Sequence, residues 1–172
     1  MSVKLILKAT FMTLLMPGAV ILVVPYFILP PHRLTDWPNI SAFAVLAMIT
    51  GSVGLIILLN CIWGFAVHGK GTLAPIDPPK VLVVRGFYRH TRNPMYHAVI
   101  LVLLSEALFF GSLLLLIYAA AVLLFFHVFV ILYEEPRLRS QFGESYEEYS
   151  RTIPRWGFTV RSLTSRKHPA EL

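Results

Sequence analysis

Two short polar clusters hold the side chains of this chain best suited to chemistry. The first runs Gly86-Phe87-Tyr88-Arg89-His90-Thr91-Arg92-Asn93-Pro94-Met95-Tyr96, and the second is Tyr133-Glu134-Glu135-Pro136. Tyr88, Arg92, Asn93 and Tyr96 supply hydrogen-bond donors and a permanent positive charge, while Glu134 and Glu135 are adjacent acids. Both clusters sit where apolar runs end. Carboxylates at the end of a membrane span cost free energy unless they pair or hold a cation. The pattern therefore predicts a charged site pinned against one membrane face, rather than the girdle of Tyr and Arg that many membrane proteins carry at their interfaces.

The elements that position these clusters follow from composition. Of 172 residues, 56% are hydrophobic and only 14% charged, with a mean hydropathy of +0.69, which excludes an ordinary water-soluble domain. Residues 9–30 and 37–67 carry no Asp, Glu, Lys or Arg, and each is long enough for a hydrocarbon core of about 30 Å at about 1.5 Å per residue. Residues 98–133 are interrupted only by Glu106. As one helix they would reach about 54 Å, so they must fold back, and Gly111-Ser112 is the natural turn. The reading is an all-α integral membrane protein of one domain, with about four transmembrane helices near 9–30, 40–67, 95–110 and 113–134. A loop covers 68–94, and a C-terminal interfacial helix and tail cover 135–172.

Charge asymmetry tests that count. Lys4 and Lys8 precede the first span, five basic residues fill the second loop and seven follow the fourth span, leaving Arg33 alone on the other side. By the positive-inside rule both termini and the polar clusters are cytoplasmic, and a bacterial inner membrane is the expected location, with the endoplasmic reticulum as the alternative. The net charge of +6 then reads as attraction to anionic headgroups and not to nucleic acid. Lys4 and Lys8 ahead of an apolar run imitate a signal peptide. The run is long, contains Pro17 and Pro25 and lacks a small-x-small cleavage site, so a retained span is expected.

Leu138, Phe142, Tyr146 and Tyr149 recur at helical spacing among charged neighbours, which predicts an interfacial helix folding back over the span ends. If spans three and four form a hairpin about Gly111, Tyr96 and His97 lie level with Phe126 and His127. His127, Ile131 and Glu134, spaced by four and three, share one helix face and put His127 beneath Glu134. Tyr88, Arg92, Asn93, Tyr96, His127, Glu134 and Glu135 then converge at the cytoplasmic mouth, with Arg155 joining them when the tail folds over. His127 reads equally as an interior imidazole or a site residue. Glu106, five residues before Gly111, reads as structural, and the lone Cys61 as a buried thiol. His68 and His90 read as solvated. No histidine, cysteine and acid spacing matches a metal site. Gly69-Lys70-Gly71-Thr72-Leu73-Ala74 imitates a dinucleotide fingerprint but follows a membrane helix where a strand is required.

Several of these motifs occur together in one order. Gly69-x-Gly71-Thr72-x-x-Pro75, Asp77-Pro78-Pro79, Leu82-Val83-Val84-x-Gly86-x-Tyr88-Arg89 and Arg92-Asn93-Pro94-Met95-Tyr96 are followed by Tyr133-Glu134-Glu135-Pro136-x-Leu138, Phe142-Gly143-x-x-Tyr146-x-x-Tyr149 and Ile153-Pro154-Arg155. From Gly69 to about Trp156 the chain resembles the superfamily of isoprenylcysteine carboxyl methyltransferases and phospholipid methyltransferases, which are integral membrane enzymes. Prenylcysteine enzymes usually have Arg-His-Pro where this chain has Arg92-Asn93-Pro94. Asn-Pro-Met-Tyr and Tyr-Glu-Glu-Pro are commoner in the phospholipid branch.

The resemblance implies S-adenosylmethionine as methyl donor, with S-adenosylhomocysteine as product, bound on the cytoplasmic side under the C-terminal helix. A lipophilic methyl acceptor enters from the bilayer: an isoprenylcysteine carboxylate, a phospholipid amine or a related lipid. It implies a donor site of Gly86, Tyr88, Arg92, Asn93, Tyr96, Glu134, Glu135, Tyr146 and Arg155. Arg92 or Arg155 takes a carboxylate or an anionic acceptor, Glu134 and Glu135 take the ammonium and ribose hydroxyls, and Tyr88, Tyr96 and Tyr146 line the ring and sulfonium. Arg92, Asn93, Glu135 and His127 are the residues expected nearest the chemistry. Transfer is an in-line displacement at an activated methyl, so positioning supplies most of the rate. A base is required only for a protonated acceptor, and then His127, His97 or a Glu is the candidate. Two other readings remain: a membrane reductase of the sterol reductase type using NADPH, and a small four-helix transporter or scaffold with Glu106 as coupling acid.

Overall fold

A computed structural model describes residues 17–31, 41–68, 82 and 84–159, and of 65–68 the backbone only. The motif around Gly69 to Pro79, the first loop, the basic residues Lys4, Lys8, Arg33, Lys70 and Lys80, and residues 160–172 lie outside the described residues. Every element among the described residues is helical. A π-helical turn, Ala19–Val23, runs into a short helix, Val24–Ile28 (together α1); α2 is Ala42–His68, α3 Pro94–Phe110, and α4 Leu113–Phe129. A second π turn, Val130–Glu134, links α4 to α5, Glu135–Phe142, and α6 is Glu144–Thr152.

Local chemistry accounts for most of these boundaries. Pro94 opens α3, where its missing N–H would be unpaired in any case. Gly111 closes α3 with φ +56°, the left-handed cap that a residue without Cβ adopts at least cost. Ser112 then accepts from the Leu115 amide at 3.4 Å and starts α4, so the apolar block folds back at Gly111-Ser112. Near the other end of α4, Pro136 has no N–H to donate and its ring crowds the carbonyl four residues earlier. The chain opens by a π turn just before it, the Glu135 amide reaching Val130 O.

Two helices are long and apolar enough to cross a membrane by length and composition: Ala42–Gly64, and Leu113–Phe142, which takes in α4 and α5. Ala19–Ile28 and Pro94–Phe110 are shorter apolar helices. Outward-facing Phe43, Ile56, Leu59, Leu113, Ile117 and Phe125 are more than half exposed, the pattern of a surface facing lipid instead of water.

The most extensive pairing is between α2 and α3. Small residues set it: a Cβ on Gly54 would lie 3.0 Å from Ala98 O, and one on Gly51 2.8 Å from Ser105 Oγ. Close backbone approach of this kind replaces the hydrophobic drive that lipid does not provide. Together with α4, this pair sets the depth at which both polar clusters are displayed.

The tail departs from the single amphipathic helix that its periodicity predicts. Gly143, at φ +53°, breaks it into α5 and α6. Leu138, Phe142, Tyr146 and Tyr149 still gather, now across the break, in one cluster with Ile153, Leu82 and Val84.

Candidate active site

Glu135 is the centre of the polar cluster. It stands past the apolar part of α4, on the first turn of α5, and is 3% exposed. Arg155 grips its carboxylate with both arms of the guanidinium, Nε to Oε1 at 2.6 Å and Nη2 to Oε2 at 3.0 Å. Arg92 Nη1 approaches Oε1 at 3.1 Å and Arg139 Nη2 approaches Oε2 at 3.5 Å. Arg139 also reaches Glu147 Oε1, at 2.9 Å. Burial opposes ionisation of Glu135, but the Arg155 hydrogen bonds and the charges of Arg92, Arg155 and Arg139 outweigh it and hold the carboxyl below its ordinary value. The same hydrogen bond raises Arg155 above its own.

Arg92 comes from the turn before α3 and faces α6. Its Nη1 donates to the Tyr146 hydroxyl at 3.2 Å, whereas its Nε is buried with no hydrogen-bond partner. Burial is the main reason that Tyr146 and Tyr149 sit above the ordinary phenol range, and it raises Tyr88 well above it. All three therefore remain neutral O–H groups. The Tyr149 hydroxyl donates to Tyr88 O at 2.7 Å and ties α6 to the 3-10 helix Gly86–Arg89. Gly86 begins that helix at φ +57°, with Asn60 Oδ1 at 3.1 Å from where a Cβ would be.

Glu134 faces elsewhere. Its Oε2 accepts from the Tyr96 hydroxyl at 2.7 Å, and the Tyr96 ring lies 4.4 Å from that of Phe126. The adjacent acids are thus divided, Glu135 to the arginines and Glu134 to a tyrosine.

Backbone pairing draws the C-terminal stretch over the first cluster. The Arg92 amide donates to Pro154 O at 2.9 Å, and Asn93 Nδ2 to Arg155 O at 3.1 Å. The Thr159 amide donates to His90 O at 2.9 Å, and His90 Nδ1 to Thr159 O at 2.8 Å. His90, read from sequence as solvated, is half-buried in this seam. Asn93 is consumed by it, its own carbonyl accepting from His97 Nδ1 at 2.8 Å.

The structure thus brings Arg92, Glu135, Tyr146 and Arg155 into one network, with Tyr88, Asn93, Tyr96 and Glu134 bordering it. His127 is not beneath Glu134. It is exposed, and its Nδ1 accepts from Trp156 Nε1 at 2.9 Å. Spacings of four and three align residues only where the helix is α throughout, and the π turn at Val130–Glu134 rotates the residues beyond it by roughly a quarter-turn. Two residues escaped the sequence reading. Thr91 is fully buried in the seam, and nothing in its type signals that. Trp156 packs on His97 and His127, at ring separations of 5.4 and 6.0 Å, and a Trp beyond the last span was the available signal. Among the described residues no group of three or more His, Cys, Asp or Glu side chains is placed to hold a metal ion.

With three guanidiniums around one buried carboxylate, this arrangement carries surplus positive charge and suits a ligand bearing an anion. A family model described as phospholipid methyltransferase matches residues 42–145, from the start of α2 to the first turn of α6. No curated protein and no solved structure matches the chain.

Proposed function

The chain belongs to the phospholipid methyltransferase family, and from that premise we propose that it transfers a methyl group from S-adenosylmethionine to a lipid acceptor drawn from the bilayer. The observation that carries the donor assignment is Arg92 Nε, a buried N–H without an acceptor. A buried unpaired donor costs about 1–3 kcal/mol, and it lies in the same cluster as a buried acid and a second arginine. An amino-acid carboxylate would satisfy Nε, and an ammonium beside it would find Glu135 in its ionised form. The donor set therefore fits the methionine end of the proposed cofactor.

In this reading Arg92 binds and orients the carboxylate, Glu135 takes the ammonium, and Arg155 holds Glu135 in place through its bidentate grip. Tyr88, Tyr96 and Tyr146 line the site with neutral rings and hydroxyls, and Glu134 fixes the Tyr96 hydroxyl. Gly86 keeps the backbone close, and Asn93 anchors the C-terminal seam that excludes water. Bound here, S-adenosylmethionine supplies a methyl group already activated by its sulfonium. The protein contributes alignment and a dry, preorganised electrostatic setting. His127 does not join this cluster and belongs to the acceptor side.

The topology that suits this chemistry has four spans, near 9–30, 40–67, 95–110 and 113–134, in a single membrane domain, with both termini and the site on the cytoplasmic face of a bacterial inner membrane. The test is calorimetric titration of the purified protein in detergent with S-adenosylmethionine and S-adenosylhomocysteine, with Glu135→Gln and Arg92→Ala variants and an NADPH control. Micromolar binding of both adenosyl ligands, weakened by both substitutions, is expected. Folded wild-type protein that binds neither, or that binds NADPH instead, overturns the reading.

A further inference from the structure

A second group of side chains lies one residue along each helix from the touching Tyr96 and Phe126 rings. His97 follows Tyr96 on α3 and His127 follows Phe126 on α4, and the Tyr96 and Phe126 rings touch. The two imidazoles therefore flank the same helix pair at the same depth, on the side where His127 is exposed. Trp156 packs against both, and Phe158 adds a second ring against His97 at 5.7 Å.

Their hydrogen bonds are of opposite sense. His97 Nδ1 lies 2.8 Å from Asn93 O. A carbonyl can only accept, so Nδ1 carries the proton and the lone pair of the neutral ring is on Nε2. His127 Nδ1 lies 2.9 Å from Trp156 Nε1. An indole N–H can only donate, so here Nδ1 carries the lone pair and Nε2 the proton. Neither Nε2 has a hydrogen-bond partner among the described residues. The fold thus offers one imidazole that accepts and one that donates, on the side of the α3–α4 pair where His127 is exposed and one residue along α3 from Tyr96.

We propose that His97 Nε2 takes the proton from the ammonium of an amine-bearing phospholipid, and that Trp156 is a positioning residue that keeps His127 as a donor to the phosphate oxygen of that headgroup. This rests on the methyltransferase reading above. The ammonium proton passes to His97 Nε2, and the nitrogen lone pair so freed forms the new N–C bond. The C–S bond to that methyl breaks with its electron pair kept by sulfur, and the imidazolium returns its proton to interfacial water. An acceptor carboxylate would need no such residue.

The first readout is independent of turnover: long-range proton–nitrogen correlation spectra of the full chain, labelled with 15N-histidine, in detergent at mildly alkaline pH. His97 is expected as the Nδ1–H form and His127 as the Nε2–H form. Trp156→Phe should release His127 into exchange between forms while leaving His97 unchanged. The same form for both rings, or no response to Trp156→Phe, overturns the proposal. The second readout uses vesicles of a phospholipid with a primary amine. His97→Asn retains an amide N–H where Nδ1–H stood but has no Nε2. It should lower kcat by about 100-fold or more while leaving S-adenosylhomocysteine affinity unchanged, and Trp156→Phe should raise the lipid KM more than it lowers kcat. Wild-type turnover by His97→Asn overturns the histidine proposal alone. A wild-type protein that methylates no amine lipid but binds the adenosyl ligands overturns this proposal and keeps the donor site, and failure of both overturns the parent reading with it.

Discussion

Arg92 and Glu106 stand at opposite ends of α3, and each has one buried side-chain atom without a partner, Nε in one and Oε2 in the other. Their surroundings differ. Arg92 meets Glu135 from α5 and Tyr146 from α6, beside Arg155 from the segment beyond α6. Glu106 has no ion pair among the described residues. Its neighbour Ser105 bonds back to Val102 O, and Tyr118 from α4 bonds to Val20 O. An orphaned polar atom points to a ligand where both signs of charge converge on it from separate segments. Where nothing converges, it is a cost that the fold carries.

The strongest way to break this contrast is Glu135→Gln, which removes the acid from between three guanidiniums. Breaking a buried ion pair from one side costs about 3–5 kcal/mol of folding stability, and losing the acid that would face a ligand ammonium costs about 2–5 kcal/mol of binding, equivalent to more than about 30-fold in affinity. Calorimetry should show S-adenosylhomocysteine binding falling by at least that much, and hydrogen exchange should show the amides of Arg92 and Thr159 losing protection as the seam loosens. Unchanged binding and protection would mean that the convergence of charge is not a site.

Arg92→Lys sharpens the contrast at a single atom, since lysine keeps the charge but has no Nε–H. If that donor faces a ligand carboxylate, one charge-assisted hydrogen bond is lost, worth about 1.5–3 kcal/mol. Affinity should fall by about 10- to 100-fold with little change in the melting temperature of the ligand-free protein. A fall in stability that matches the fall in affinity assigns Nε to the fold.

Acidification probes the same cluster more gently. The folded value of Glu135 lies below its ordinary 4.5, so its stabilising contribution is fully present above that ordinary value. It is lost only as pH falls through the lower folded one. The Glu135 side-chain carboxyl carbon, followed by 13C NMR, should keep its ionised shift down to about pH 4.5 and titrate below it. A transition centred well above that pH would show that Glu135 is not held by its arginines.

Much of this arrangement was legible because it depends on local rules. Pro94 and Gly111 mark the ends of α3 through backbone geometry that few other residues accept, and the basic tail with its Tyr146 and Tyr149 stripe had to cover something. What escaped depends on phase and on pairing at long range. A π turn costs one residue of register, and no spacing rule foresees that it will take Glu134 to Tyr96 and leave His127 to Trp156. The break at Gly143 was hidden for the opposite reason, because α5 and α6 gather the same apolar residues that one helix would have aligned. Thr91 has no signal at all, being buried by the 154–159 stretch of chain that hydrogen-bonds back across it.

The smallest expected effect is the one that tests the other pole of the comparison. A charged residue inside an apolar helix is by default a functional candidate, and Glu106 is the one acid within α3. Yet Glu106→Gln keeps shape and polarity and disturbs no ion pair among the described residues, so methyl transfer and adenosyl-ligand binding should change by less than about twofold, within the range of mutations at sites far from the chemistry. Stability should hold or rise slightly, because an amide is cheaper to bury than an ionisable group. The informative outcome is a reversal of order. If Glu106→Gln damages function more than Glu135→Gln does, the working charge lies at the Gly111 end, and a transporter coupled through Glu106 replaces the methyltransferase reading.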